Sequence, residues 1–514
     1  MSAARAIEVI VVGAGLGGLS AALCLASRGV RVHVVEASDR IGGKAGIEVV
    51  DGVEFDTGPS VLTMPDAIDE VFRRAGTSLR DELVLREERP AFRYLYPDGA
   101  AVDVFTRREE TLDSIESALG STARRELAAF LDYARVIWDS AAPHFVFGEA
   151  PSFGGMLRMG PLALARVTKV DALRSMLSAI EARVSEPHLR DLLLRYATYN
   201  GSDPRRAPAT MNCIAHVELG LGGYGVEGGI YALVRALARN AERLGATIET
   251  SARVTAIRAT RGHVEGVELA DGRHLDAKIV IANADAAHVA TQLLPRAHRS
   301  AIKHHGDPSM SAWTGVLRAR RRSGGDARVP HTVLFPRDYL QEFVDIFDSD
   351  AEPTEPTVYL CAQEPCHGRT GWPDDEAVFV MANAPAEPAE GARAPRDAAA
   401  LRERVLARLT GAGLIDSGDA IVWARTPADM ATRFPGTRGA IYGSSSNGMF
   451  AAFQRPPNRV SGLPGLYLAS GSAHPGGGMP LCVLSGRRAA DQALEDGLGR
   501  SHPARTSASN AAPR

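Results

Sequence analysis

The chain has 514 residues, more than one hydrophobic core usually holds, so its length predicts roughly two to four structural units. The 58 Lys and Arg residues nearly balance the 61 Asp and Glu residues, and the net charge of −3 excludes the positive field on which nucleic-acid binding depends. Hydrophobic residues at 45% and charged residues at 23% exclude wholesale disorder and a polytopic membrane protein. The 5 cysteines are scattered, so we expect no disulfide framework and a reducing, cytoplasmic setting.

The amino-terminal segment predicts a strand, a tight turn, a helix and a second strand. A short run of β-branched residues is followed by Gly13, Gly15 and Gly18 in the order G-x-G-x-x-G. A second run of β-branched residues ends at Glu36. In a dinucleotide-binding unit the first glycine makes the turn, the second lets the pyrophosphate approach the backbone, and the third lets the helix pack on the strand. The acid accepts hydrogen bonds from the ribose hydroxyls. The alternatives are a secretory leader and a glycine-rich turn in a plain α/β sheet. The framing strands and the acid disfavour both.

A second glycine pair follows the acid and favours FAD over NAD as the dinucleotide. The stretch over residues 37–44 resembles the extended signature of FAD-dependent amine oxidases and carotenoid desaturases, which NAD dehydrogenases usually lack. Residues 55–60 are similar to the flavin-facing segment of the same superfamily. The further cofactor-binding residues predicted here are Arg40, Gly42, Gly43, Lys44, Gly58 and Pro59.

Two later blocks repeat the alternation of strand, glycine turn and helix. From residue 225 onward we predict a helix over 230–244 and strands over 253–257, 264–269 and 278–285, the last returning beside the first strand of the chain. Near the carboxyl end, a strand enters a glycine-rich turn and then a helix over 481–493, and a helix amino terminus there suits the carbonyl edge of a flavin ring. An ordinary βα turn is the alternative. The cofactor-binding residues predicted in these blocks are Val254, Gly471, Pro475, Gly476, Gly477 and Met479.

These patterns predict a chain in which the cofactor domain is discontinuous. The predicted FAD-binding segments are residues 1–108, 225–299 and 434–498, the helical cap or membrane-facing region is 109–224, the substrate-binding domain is 300–433, and the disordered tail is 499–514.

The chain as a whole resembles the bacterial phytoene desaturase family of carotenoid desaturases. The matching pieces run in order over residues 11–480 and are VVGAGLGGLSAALCLASRGVRVHVVEASDRIGGKA, DTGPSVLTMPD, YATYNGSDPRRAPAT, GGYGVEGGIYALVRALA and FQRPPNRVSGLPGLYLASGSAHPGGGMP. Residues 300–430 contain few motifs that match the family. Within the family, the pieces VLTMPD, YATYNGSDP and SSSNG are most similar to desaturases of 1-hydroxy or 1-methoxy carotenoids.

This resemblance implies an α/β flavoprotein of the amine oxidase and GDP-dissociation-inhibitor fold. Its parts would be a Rossmann-like FAD-binding domain, a discontinuous α+β substrate domain and a helical cap. It also implies an acyclic carotenoid as substrate, loss of two hydrogens from a C–C bond with hydride passing to the flavin, and reoxidation by an acceptor such as oxygen or a quinone. The allylic cation acidifies its neighbouring C–H, so no strong general base is expected.

Several side chains carry a functional and a structural interpretation at once. His474 either orients the flavin or takes a proton, or it caps the following helix, and it is the weak catalytic candidate. Arg455 either hydrogen-bonds flavin or phosphate or forms a surface ion pair. For Glu227 we expect a positional role only. The cluster of Cys361, Cys366 and His367 lacks a second Cys/His pair, so we expect no metal. The aromatic residues that line a polyene tunnel, or else belong to the core, are Tyr196, Tyr199, Trp313 and Phe453. The polar residues offered as anchors for an oxygenated end group are Thr198, Asn200, Ser446 and Asn447.

We expect a peripheral protein on the cytoplasmic face of the inner membrane, because a carotenoid must enter from the bilayer. Residues 143–173 alternate apolar and basic side chains and are the candidate docking surface, with a buried helical cap as the alternative. Three other functions share the scaffold: a phytoene desaturase acting on the unoxidised hydrocarbon, an amine or protoporphyrinogen oxidase, and a non-catalytic prenyl-binding protein of the Rab-escort type. The complete flavin fingerprints argue against the last.

Overall fold

The computed structural model describes residues 8–151, 170–260, 262–304, 306–389, 396, 398–448 and 451–497, with only the backbone described at 452 and 453. The predicted disordered tail lies outside these residues, as does most of the candidate docking surface. The strands are β1 Val9–Val12, β2 Val32–Val35, β3 Ile47–Val50, β4 Val53–Asp56, β5 Leu62–Thr63, β6 Leu85–Arg86, β7 Phe92–Leu95, β8 Ala101–Val104, β9 Gly223–Val226, β10 Thr247–Glu249, β11 Val254–Thr260, β12 His263–Leu269, β13 His274–Asp276, β14 Ile279–Ala282, β15 Ser311–Arg320, β16 His331–Leu334, β17 Val358–Ala362, β18 Asp375–Ala384, β19 Ala420–Arg425 and β20 Leu466–Leu468.

The α-helices of the described residues are α1 Leu16–Ala26, α2 Pro65–Arg74, α3 Leu79–Glu82, α4 Arg108–Leu119, α5 Ser121–Ala141, α6 Met176–Glu181, α7 Pro187–Leu194, α8 Cys213–Leu219, α9 Tyr231–Arg243, α10 Ala286–His288, α11 Tyr339–Phe347, α12 Gln363–His367, α13 Ala399–Gly411, α14 Pro427–Arg433, α15 Ala451–Gln454 and α16 Met479–Glu495. Short 3-10 turns include Arg195–Asn200, Ala209–Asn212, Arg296–Ala301 and Gly324–Asp326, and π turns cover Ala142–Val146 and Val289–Leu293. None of these helices is long and apolar enough to cross a membrane.

A five-stranded parallel sheet joins distant parts of the chain in the order β10-β2-β1-β14-β20. Its strands are short and mostly apolar because one face packs on helices such as α1 and α9 and the other packs on the three-stranded sheet β11-β12-β13. The prediction that the strand near residue 280 returns beside the first strand is confirmed, since Val9 pairs with Ile279 on one side and with Val32 on the other. The carboxyl ends of β1, β2, β14 and β20 therefore lie together, although the strands come from the beginning, the middle and the end of the sequence.

Helix α1 is buried along its whole length beneath this sheet. All of its residues from Leu16 to Ala26 are buried, and it packs against α9 and α16. The contact with α16 is a backbone-to-backbone approach, because a Cβ placed on Gly486 would lie 2.0 Å from the carbonyl oxygen of Gly17. Glycine at both positions sets how closely the first and last helices of the chain can cross.

A seven-stranded mixed sheet forms the second layer, in the order β19-β15-β18-β17-β16-β7-β8. Strands β7 and β8 form a hairpin at one edge of this sheet, and β7 also pairs in parallel with β16. The sequence had placed this hairpin within the first FAD-binding segment, 1–108. Its pairing partner lies more than two hundred residues further along the chain, which local alternation of side chains does not reveal.

The predicted helical region packs on one face of the second sheet. Helices α4 to α8 bring Leu127, Phe130 and Leu193 into one buried cluster with Tyr94 and Phe335 of the sheet. The 3-10 turn Arg195–Asn200 continues α7 directly and carries the chain from this cluster toward the first sheet. The helical layer thus positions that turn between the two sheets.

We predict that Gly486→Ala destabilises the protein by about 3 kcal/mol, because its methyl group would overlap the backbone of Gly17 and force α1 and α16 apart. Urea unfolding monitored by circular dichroism measures this. Gly411→Ala is the matched control: Gly411 ends α13 with open space at the Cβ position, so that change should be neutral or slightly stabilising. Equal stability of the two variants would contradict the proposed role of the crossing.

Candidate cofactor and active site

A cavity of about 730 Å³ lies where the carboxyl ends of the parallel strands face the second sheet. Its wall includes Val12, Val35, Asn283 and Ser470, which end or follow β1, β2, β14 and β20. Ligands of open α/β folds bind at this edge of the sheet, and the volume falls within the range of about 300–1,000 Å³ typical of ligand sites.

Most of the predicted cofactor residues line this cavity. Those that do are Gly13, Gly15, Glu36, Gly42, Gly43, Lys44, Gly58, Pro59, Val254, Gly471, Gly477 and Met479. Four do not. A Cβ on Gly18 would lie 2.0 Å from the carbonyl oxygen of Gly13, which is the helix-on-strand packing expected of the third glycine. Arg40 faces Ile47 and Glu48 instead, and Gly476 with its neighbour Pro475 lies beside Arg455.

The first glycine turn presents bare backbone to the cavity. Gly15 caps the amino terminus of α1, and a Cβ there would lie 2.6 Å from Oδ1 of Asn283. The Asn283 amide donates to the carbonyl of Ala469, so this side chain bridges the turn to the last strand of the sheet. Sequence reasoning missed Asn283, and its signal is its place directly after a parallel strand. The turn, free of side chains and capped by a helix amino terminus, fits a pyrophosphate.

Glu36 holds the same turn in shape. Its Oε2 accepts from the backbone N–H of Ala14 at 2.7 Å, and its Oε1 accepts from the N–H of Ser38 at 2.8 Å. The carboxylate also lines the cavity, as expected of a ribose ligand. Gly42, with φ +107°, donates its N–H to the carbonyl of Ala14 and so joins the second glycine pair to the first turn.

A second helix amino terminus faces the same cavity. Gly478, Met479 and Pro480 at the start of α16 line it together with Gly477. Two helix amino termini from opposite ends of the chain therefore direct their partial positive charge and free N–H groups into one space. This arrangement suits a ligand that carries phosphates at one end and a carbonyl-edged ring at the other.

Two buried cations flank the cavity and are held by backbone carbonyls. The ammonium group of Lys44 donates to the carbonyls of Ala440 and Ile441 at 2.9 and 2.7 Å, and burial lowers the pKa of Lys44. Arg455 donates to the carbonyl of Gly471 at 3.0 Å and to Oδ1 of Asn200 at 3.2 Å, and burial lowers the pKa of Arg455 to about 10. The surface ion pair considered for Arg455 is therefore wrong; the residue fastens the last glycine turn to the turn Arg195–Asn200.

His474 lies beside the cavity without lining it. Its Nε2 donates to the carbonyl oxygen of Gly148 at 3.0 Å, and burial lowers the pKa of His474 to about 4. A neutral imidazole held by a distant backbone carbonyl fits a structural role, but not the predicted cap of the following helix, because that helix begins after Gly478 without a side-chain cap.

The substrate end of the cavity holds an aromatic and charged cluster. Arg195, Thr198, Tyr199 and Tyr359 line the wall. Of the predicted tunnel aromatics, Tyr199 lines the cavity, while Tyr196 lies behind it and Trp313 is buried in the second sheet. The side chain of the fourth, residue 453, lies outside the described residues.

The predicted polar anchors mostly form hydrogen bonds with other groups of the protein. Thr198 lines the cavity and donates its hydroxyl to the carbonyl of Arg195 at 2.8 Å. Asn200 hydrogen-bonds both Ser446 and Arg455, and Oδ1 of Asn447 accepts from the N–H of Asp203 at 2.8 Å. Sequence reasoning missed Arg195 and its buried neighbour Glu218, since nothing in their local spacing marks them.

The cysteine cluster gains a histidine from another strand. Nε2 of His331 lies 3.4 Å from Sγ of Cys366, and the ligand atoms of His331, Cys361 and Cys366 lie within 4.8 Å of one another. Nδ1 of His331 is 2.8 Å from the Tyr359 hydroxyl, which is 2.5 Å from Oγ of Ser60. A hydrogen-bonded chain thus runs from the cavity wall to the buried thiols. The expectation that no metal binds here stays a prediction.

The two helix amino termini, the side-chain-free turn and the acid on one cavity fit a bound dinucleotide such as FAD. The comparisons with known proteins agree. The chain belongs to the family of flavin-containing amine oxidoreductases, which matches residues 16–494. FAD as the cofactor is confirmed, as is the predicted fold class.

Three relatives match almost the whole chain. A hydroxyneurosporene desaturase from Rubrivivax gelatinosus is 35% identical over 95% of this chain and 93% of its own. A 4,4′-diapolycopene oxygenase from Methylomonas sp is 33% identical over 95% and 98%, and a carotenoid 3,4-desaturase from Haloarcula japonica is 31% identical over 95% and 98%. The predicted resemblance to carotenoid desaturases is confirmed. Among solved structures, an oxidoreductase from Methanosarcina mazei matches at 18% identity and TM-score 0.60 over 95% of this chain and 100% of its own, which supports the fold.

We predict that Gly15→Val abolishes FAD binding, because the added side chain would overlap Asn283 and block the approach of the pyrophosphate to the backbone. The measurement is the ratio of flavin to protein absorbance after desalting. Gly325→Val, at a position with open space for a Cβ, is the control and should retain full flavin. A Gly15→Val protein that keeps its flavin would show that the turn is not the pyrophosphate site.

Proposed function

We propose that the protein is an FAD-dependent carotenoid desaturase that introduces a C–C double bond into an acyclic carotenoid, at the 3,4 position of a 1-hydroxy or 1-methoxy carotenoid. The observation that carries this proposal is the match over 95% of the chain to a hydroxyneurosporene desaturase and to a carotenoid 3,4-desaturase. The finer choice of substrate also rests on the motifs VLTMPD, YATYNGSDP and SSSNG of the sequence.

The walls of the cavity suit an apolar substrate next to a flavin. Glycine backbone forms the cofactor side, whereas Phe379, Met381 and Tyr359 of the second sheet form the opposite side. Leu293 and Phe434 extend the apolar wall. A polyene lying on this surface would be shielded from water, as a reaction that generates an allylic cation requires.

The protein's own contribution to the reaction is positioning and exclusion of water. FAD, when bound, supplies the acceptor for the hydride. The second hydrogen leaves as a proton from a carbon next to a polyene-stabilised cation, so it needs only a weak acceptor. The described residues at the substrate end fit this, because burial raises the pKa of Tyr199 and keeps its hydroxyl protonated at neutral pH. An acceptor such as oxygen or a quinone then reoxidises the cofactor.

An amine substrate is a second alternative on this scaffold. The near-full-length matches to carotenoid desaturases disfavour it. The runner-up is a phytoene desaturase proper, which takes the unoxidised hydrocarbon through several steps.

We predict that the FAD-loaded enzyme converts 1-hydroxyneurosporene in liposomes to a product with one more conjugated double bond, and that neurosporene, its matched hydrocarbon, reacts at least tenfold more slowly. Absorption spectra and chromatography of each incubation measure this, and an anaerobic reaction should bleach the flavin. Efficient multi-step conversion of phytoene without turnover of the hydroxylated compound would contradict this choice of substrate and favour a phytoene desaturase.

The protein works at a membrane surface in this proposal. A carotenoid of roughly forty carbons, at about 0.8 kcal/mol per buried CH2-sized unit, costs on the order of 30 kcal/mol to transfer from lipid to water, so it must pass directly from the bilayer. Among the described ends of the candidate docking segment, Phe147 and Leu173 are exposed, Leu173 by 76%. The cytoplasmic face of the inner membrane is the proposed location.

We predict that the detergent-free protein floats with anionic liposomes in a density gradient, because basic and apolar side chains alternate over residues 143–173. Replacing the exposed Leu173 by Glu should reduce the floated fraction several-fold, whereas Val84→Glu, at an exposed apolar site outside this segment, should leave it unchanged. Full activity on carotenoid liposomes by a protein that stays at the bottom of the gradient would count against membrane docking.

A further inference from the structure

We infer that Arg195 and Tyr199 form the binding site for the oxygen atom on the end group of the carotenoid. This inference rests on the proposed function and assigns its substrate selectivity to named side chains. The ligand chemistry that the site recognises is a neutral hydroxyl or ether oxygen at the end of a long hydrocarbon.

The guanidinium of Arg195 has donors left over for a ligand. Its Nη1 donates to the hydroxyls of Tyr94 at 3.1 Å and Tyr199 at 3.3 Å. Among the described residues, no acceptor is found for its other N–H groups, although the side chain lines the cavity. An arginine has five N–H donors and no acceptor, so the unmet groups call for an oxygen from the ligand.

Aromatic rings replace water around this cation. The guanidinium lies over the rings of Phe92, Tyr94, Tyr199 and Tyr359 at 5.1 to 5.8 Å from their centroids. These contacts hold the charge in place, but ring faces do not accept the in-plane N–H bonds as oxygens do. In surroundings without water, a hydrogen bond from this donor to a ligand oxygen contributes more binding free energy than it would in water. Leaving the donor without a partner there also costs more free energy.

The hydroxyl of Tyr199 adds an acceptor to the site. Tyr199 donates its proton to Glu218, and Tyr196 donates to the other oxygen of that carboxylate at 2.9 Å. With its own proton committed, the Tyr199 oxygen can accept one from a ligand. A 1-hydroxyl group thus makes two hydrogen bonds, to Arg195 and to Tyr199, a 1-methoxy group makes one, and a hydrocarbon makes none.

Glu218 also cancels the charge of Arg195. The carboxylate and the guanidinium share the Tyr199 hydroxyl as a hydrogen-bond partner, so the cluster is formally neutral. A lone cation at this wall would oppose the positive charge that develops on the substrate. The pairing lets the protein keep an arginine near the reacting end of a polyene.

The oxygen-binding site at the substrate end of the cavity is joined by hydrogen bonds to the last glycine turn on the cofactor side. The turn that begins with Arg195 ends at Asn200, whose Oδ1 accepts from Arg455 at 3.2 Å. Arg455 in turn donates to the carbonyl of Gly471, which lines the cavity in the last glycine turn. In the proposed substrate only carbon 2 separates the oxygen-bearing carbon 1 from the 3,4 bond, so the oxygen and the reacting bond must lie in the same part of the cavity.

The decisive experiment compares kcat/KM for 1-hydroxyneurosporene, 1-methoxyneurosporene and neurosporene in wild type and in Arg195→Met. The variant keeps the volume and removes the donors, so we expect the ratio of kcat/KM for each oxygenated substrate to kcat/KM for neurosporene to fall at least tenfold, toward one. Tyr94→Phe is the matched control: Tyr94 also accepts from Arg195 but does not line the cavity, so the order of the three substrates should persist. An unchanged preference in Arg195→Met would overturn the inference.

A second variant tests the acceptor and guards against misfolding of the first. Tyr199→Phe keeps the ring and removes the oxygen, so the hydroxyl compound should lose its advantage over the methoxy compound while both still exceed neurosporene. An unchanged ratio of hydroxyl to methoxy activity would overturn the inference even if Arg195→Met fails to fold. A wild-type enzyme that turns over none of the three, or only phytoene, would instead refute the proposed function.

Discussion

The two ends of the chain meet at a backbone contact that admits no side chain, and the cofactor site depends on it. A Cβ on Gly17 would lie 2.0 Å from the carbonyl oxygen of Ala469, in the last strand's turn, and a Cβ on Gly486 would lie equally close to the backbone of Gly17. Because α1 and α16 approach so closely, both amino termini open onto the same cavity. Larger residues at either position would push the two halves of the cofactor site apart, even though they would not contact the cofactor themselves.

The cofactor half was predictable because its determinants are local. Glycine spacing, a β-branched strand before it and an acid after it lie within one short segment, and most of the predicted residues do line the cavity. What sequence reasoning missed depends on long-range contacts. Asn283 contacts Ala469, Arg195 contacts Tyr94, and His331 reaches Cys366, each across parts of the chain that the sheet topology brings together. The pairing of β7 with β16 belongs to the same class, since side-chain alternation marks a strand but not its neighbour.

Three cationic side chains near the cavity differ in whether their hydrogen-bond partners suit a structural role or leave donors for a ligand. Lys44 and Arg455 donate mainly to backbone carbonyls and so fasten one loop to another. Among the described residues, the partners of Arg195 are phenolic hydroxyls and ring faces. A cation whose partners are all protein carbonyls holds structure, whereas one with unmet donors at a cavity wall has capacity for a ligand.

Selectivity in an apolar cavity has to come from polar groups, because hydrocarbon surfaces discriminate weakly between similar hydrocarbons. The protein places its polar groups on a turn that is itself tied to the cofactor loops through Asn200 and Arg455. A shift of that turn would therefore move the oxygen-binding side chains and the last glycine turn together. These hydrogen bonds thus keep the distance between the proposed oxygen-binding side chains and the cofactor site constant, so that recognition of one end group would place one bond at the cofactor.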